Sequence, residues 1–143
     1  PEYFQLFVCA EVEREILYPL TTQGLPVPAA LQFHEWCAGK IIIRQSPAKP
    51  VDWYHVGENA AIALAIDNQY VLLLDDQNPY HFARAHNLKV VSSADFVVLL
   101  YVANKLSHVV AEATISRLGL GKHLARTALT VFAALAQRRG ERP

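Results

Sequence analysis

The chain has 143 residues, 52% of them hydrophobic and 18% charged, with 13 basic side chains against 13 acidic ones. That length suits one domain, and the apolar content excludes intrinsic disorder. Zero net charge argues against a polyelectrolyte that grips nucleic acid over its whole surface, while leaving room for a local basic site.

No apolar run is long enough to read as a membrane span. The start, Pro1-Glu2-Tyr3, lacks the basic region of a secretory signal, so the cytosol is the expected compartment. There is no Met, and an opening Pro1 fits either removal of an initiator Met or truncation. Cys9 and Cys37 are too few for a disulfide framework and read as buried thiols.

In chain order, Phe4 to Cys9 is compact and aromatic or β-branched, which predicts a short strand. Glu11 to Leu17 predicts a helix with Val12, Ile16 and Leu17 on one face. Pro28 to Ala38 predicts a second, with Pro in its first turn and Gly39 just past its end. Ile41-Ile42-Ile43 reads as a buried strand, and Asn59 to Asp67 as an Ala-rich helix. Val71 to Leu74 and Lys89 to Val91 are two more strand candidates, with a loop placed at Gln77 to Pro79 between them. Ser92 or Ser93 caps a helix running through Asn104, with Asp95 in its first turn. Val109 to Leu118 and Lys122 to Arg139 complete the set, the last with a stripe of Leu124, Ala128, Val131, Phe132 and Leu135. Apolar strands alternating with helices imply an α/β fold, with a parallel sheet covered on both faces and a helical C-terminal extension.

Ligands of such sheets sit beyond the carboxyl ends of the strands, and carboxylates recur there. Glu11, Glu13 and Glu15 follow Cys9, Glu58 opens a helix at Gly57-Glu58-Asn59, and Asp75-Asp76 closes the strand at Leu74. Carboxylates from separated segments suit a hard divalent cation, which takes oxygen ligands and activates a bound water at a phosphodiester. Each has a plainer reading. Glu58 complements a helix dipole, Asp75-Asp76 forms an Asx turn, and Glu11 is solvated. The six histidines show no paired ligand spacing, and Gly119-Leu120-Gly121-Lys122 lacks the frame of a phosphate loop. Lys122, Arg126, Arg138 and Arg139, with His123, form a basic grouping on the last helix, either a solvated face or an RNA contact.

From Phe4 to Lys105 the order of features resembles a PIN-domain protein, in the compact bacterial and archaeal branch of predicted nucleic-acid-binding proteins. The resemblance rests on Val12-Glu13-Arg14-Glu15-Ile16, on Gly57-Glu58-Asn59-Ala60-Ala61-Ile62-Ala63-Leu64-Ala65, and on Leu72-Leu73-Leu74-Asp75-Asp76. Ala83 to Val90, ending Leu88-Lys89-Val90, and Ala103-Asn104-Lys105 complete it. It implies a three-layer sandwich around a mostly parallel central sheet over residues 1–106, with 107–143 as a helical extension of the same domain. It also implies a Mg²⁺- or Mn²⁺-dependent endoribonuclease of the toxin–antitoxin type, with RNA as substrate, an antitoxin protein as inhibitor and a homodimer as the assembly. A catalytically inactive RNA- or protein-binding module is the alternative. The implied catalytic and metal-holding residues are Glu15, Glu58 and Asp76, with Asp75 as a further ligand, and Lys122 and Arg126 would contact RNA. The family's first strand and its Asp have no counterpart here, which leaves the strands at Phe4–Cys9 and Val71–Leu74 flanking a gap.

Overall fold

The computed structural model describes residues 4–49, 51–119 and 122–141, with the side chains of 122–124 left aside. The chain divides into two compact units, one ending at Tyr70 and one beginning at Val71.

In the first unit, strand β1 (Leu6–Val8) leads into helix α1 (Ala10–Thr21), helix α2 (Pro28–Ala38), strand β2 (Ile42–Arg44) and helix α3 (Val56–Asn68). β1 and β2 run parallel, with Leu6 opposite Ile42 and Val8 opposite Arg44. Val8, Cys37 and Ile42 form one apolar cluster with Val12 and Phe33 against it. Cys9, Ala60 and Leu64 form another, bordered by Phe7 and Tyr70, whose rings stack at 4.6 Å. α1 extends past the expected Leu17 to take in Pro19. A proline there has no N–H to give the Glu15 carbonyl, and the helix ends at Thr21.

α3 begins at Val56, three residues before the expected start, because a buried side chain fixes the loop before it. Asn59 Oδ1 accepts from the backbone N–H of Trp53 (2.9 Å) and Tyr54 (2.7 Å), and its Nδ2 donates to the Tyr54 carbonyl (2.7 Å). Its alanine-rich body lets Ile62, Ala63, Leu64 and Ala65 all be buried.

In the second unit, strand β3 (Leu72–Leu73), helix α4 (Gln77–Ala85) and strand β4 (Val90–Val91) precede helices α5 (Ser93–Val102), α6 (His108–Arg117) and α7 (Lys122–Arg138). β3 and β4 are again parallel. The expected loop at Gln77 to Pro79 is instead the first turn of α4, where a proline is tolerated and Asp76 is the N-cap. α5 has a full capping box: Ser92 Oγ accepts from the Asp95 N–H, and the Asp95 carboxylate accepts from the Ser92 N–H. Residues 107–143, read as an extension, carry two of the three helices of this unit's main core. Ala94, Val97, Val98 and Tyr101 of α5 pack with Ala111 and Ile115 of α6 and with Ala128 and Phe132 of α7.

The α/β class and the parallel pairing agree with the sequence. The sheet differs. Among the described residues the strands form two separate two-stranded sheets, β1–β2 and β3–β4. The strand runs are also not covered on both faces. Ile42 and Leu72 are buried, whereas Ile41, Ile43, Val71 and Leu73 are exposed.

Candidate functional site

The acids of α1 go to different places because successive helical residues are turned about 100° apart. Glu13 points at the end of β2, where Arg44 grips both its oxygens: Nε donates at 2.9 and 2.8 Å and Nη2 at 2.7 Å. These charge-assisted bonds hold the Glu13 carboxyl below the usual glutamate range and raise Arg44. Glu13 thus ties α1 to β2.

Glu11 corrects its solvated reading. It is half-buried, and its Oε2 is shut off from solvent with no hydrogen-bond partner among the described residues. Burial pushes the Cys9 thiol up, and the charges of Glu11 and Glu15 add to that shift.

Glu15 lies across the start of α3. A methyl group at Gly57 would stand 2.6 Å from Glu15 Oε2 and 2.7 Å from Oε1, so the glycine leaves the space the carboxylate fills. The first turn of a helix presents unsatisfied N–H groups and the positive end of its dipole, which favours a carboxylate there. The N-cap, His55, supplies no side-chain hydrogen bond. Glu58 follows Gly57 directly in the same turn. The first unit therefore brings Glu15 and Glu58, two of the expected site residues, to one helix start.

The second unit holds the other two. Asp75, just past β3, has both oxygens engaged by Ser93: the backbone N–H and Oγ each donate at 2.6 Å. Asp76 caps α4, accepting from the Asn78 N–H at 3.4 Å. Asp76 fills the turn role of the plainer reading, whereas Asp75 is held from 18 residues away. Ser93 was expected only as a cap; its grip on Asp75 across 18 residues carries no local sequence signal. Arg44 and Asn59 likewise act through distant or looped contacts that composition does not announce.

Among the described residues no three His, Cys, Asp or Glu side chains group closely enough to hold a metal ion. Arg126 is exposed on α7, while the Lys122 side chain lies outside the described residues. Arg139, read as part of the basic grouping, turns back to the end of α5 and donates to the Tyr101 and Val102 carbonyls. No helix among the described residues is long and apolar enough to cross a membrane.

Comparison with protein-family models, with curated proteins and with solved structures gives no significant match.

Proposed function

We propose that the chain is a PIN-like, Mg²⁺- or Mn²⁺-dependent endoribonuclease of the toxin–antitoxin type. The observation that carries the reading is the Glu15 carboxylate seated on Gly57 beside Glu58 at the start of α3. A carboxylate is an oxygen donor of the kind a hard cation takes; Glu58 carries a second in the same helical turn, and the buried Glu11 Oε2 is on the same helix as Glu15. Glu15 and Glu58 are the residues that would hold the metal, which when bound lowers the pKa of a coordinated water. Exposed Arg126 supports an RNA contact on α7. The three-layer sandwich, the antitoxin partner and the homodimer belong to the same proposal and rest on the sequence resemblance.

A specific observation favours the second reading, a non-catalytic PIN-like module that binds RNA or protein. Asp75 has both oxygens taken by Ser93, and Asp76 serves as a helix cap. Incubating the protein with single-stranded RNA and Mn²⁺, with a Glu58→Gln variant alongside, separates the two. The nuclease reading expects cleavage that EDTA abolishes and that falls at least about tenfold in the variant. RNA binding with no cleavage at any Mn²⁺ concentration establishes the module instead.

A further inference from the structure

A cleft of about 860 Å³ opens beside α6 and α7, within the second unit, and none of the acids discussed above lines it. Its floor is apolar, formed by Leu129, Phe132 and Ala136, with His108 tilted against Phe132 at 4.9 Å between ring centroids. Glu112 and Glu141 bring carboxylates to its walls, and no Lys or Arg lines it among the described residues.

The position of Glu141 is built into the fold. Gly140 has a φ of +72°, and the Glu141 N–H reaches back to the Ala136 carbonyl (3.0 Å) while the Gly140 N–H bonds that of Gln137 (3.1 Å). This left-handed cap turns the chain over the end of α7. Glu141 Oε2 then accepts from the Tyr101 hydroxyl at 2.9 Å, leaving its other oxygen without a hydrogen bond to a described residue. Arg139 stacks on the Tyr101 ring at 4.5 Å and spends its N–H groups on carbonyls at the end of α5 and on Asn104.

An apolar floor with carboxylates at its walls is complementary to a cation that carries an apolar body. We propose that this cleft binds a small organic cation with an apolar body, the ammonium meeting Glu112 and Glu141 and the hydrocarbon lying on Leu129, Phe132 and Ala136. Its volume suits a small molecule. The proposal is independent of the nuclease reading, since none of its groups belongs to that site.

Amide NMR of the full chain, titrated with 4-phenylbutylamine and separately with 4-phenylbutyrate, tests it. The amine is expected to give saturable, salt-sensitive shifts at Ala133 to Gln137, and the carboxylate none. The Glu112→Gln/Glu141→Gln double variant should weaken amine binding about tenfold. A glutamine at 141 still accepts the Tyr101 hydroxyl, and an unchanged spectrum elsewhere confirms the fold. The single Glu112→Gln change, at an exposed position, repeats the test at about threefold should the double variant unfold. Equal binding of both probes, shifts that never saturate, or undiminished binding by the variants would overturn the proposal.

Discussion

Gly57 and Glu15 stand 42 positions apart, yet one defines the space of the other. Both were visible in the sequence, the glutamate as one of three alternating acids and the glycine as part of a glycine-acid helix opening. That they touch was not, because the contact depends on how α1 crosses α3. It gives a clean substitution. In Gly57→Ala the added methyl meets only the far end of a flexible side chain, so the carboxylate swings away at little cost. Alanine is also favoured over glycine inside a helix by about 0.5–1 kcal/mol. The expected outcome is an unchanged or slightly higher melting temperature together with Mn²⁺ affinity reduced at least about tenfold by calorimetry. Unchanged Mn²⁺ affinity would remove Glu15 from the site. The Glu13–Arg44 pair behaves differently. Because Arg44 depresses the folded-state carboxyl, its contribution is present above the ordinary glutamate range and is lost as pH falls through the lowered value. Melting temperature should therefore fall more steeply with acidification in the wild type than in Arg44→Gln, the two curves converging at the acid end.

The helices form where apolar spacing and capping residues place them, but several of their ends follow a rule that composition hides. The chain leaves α2, α3, α4 and α5 through left-handed residues at Lys40, Gln69, Asn87 and Asn104, with φ between 56° and 59°. The next N–H then bonds five residues back, as Tyr70 does to Ala65 at 3.1 Å. Glycine is the commonest residue at such a position, and here it is absent from all four, so the ends of α3 and α4 carry no glycine signal, whereas Gly39 just before Lys40 marks the end of α2. Gln69→Gly removes the Cβ strain and should stabilise the fold by about 1 kcal/mol in denaturant titration. A loss of stability would mean the Gln69 side chain contributes packing that outweighs the strain. The last helix was better encoded. Of its expected apolar stripe, Ala128 and Phe132 are buried against α5 and α6 and Leu135 packs beside them, whereas Val131 is exposed and the Leu124 side chain lies outside the described residues. Phe132→Ala should cost about 3–5 kcal/mol, measured the same way; a cost under about 1 kcal/mol would show that this side chain is not central to the core.

At the scale of the whole molecule, the alternation of strands and helices correctly gave an α/β chain with parallel pairing. It did not give the number of sheets. An apolar strand records that some face is buried, not how many neighbours its backbone bonds, so two separate pairs and one continuous sheet read alike. The unbroken apolar runs also overstated burial, since Ile43 and Leu73 are exposed beside buried Ile42 and Leu72. The candidate site was half legible. Its acids could be named from their places after strands and at helix starts, while the partners that fix them, Ser93 for Asp75 and Arg44 for Glu13, come from far along the chain. In the proposed function the carboxylates at the start of α3 bind a divalent cation that serves RNA cleavage. The most direct measurement is Mn²⁺ calorimetry paired with RNA cleavage for the wild type and Glu58→Gln, a change that keeps size and helix position. Mn²⁺ binding and cleavage are expected in the wild type, each reduced at least about tenfold in the variant at equal melting temperature. Binding and cleavage that survive the substitution intact, or a wild type that takes up no Mn²⁺, would contradict it.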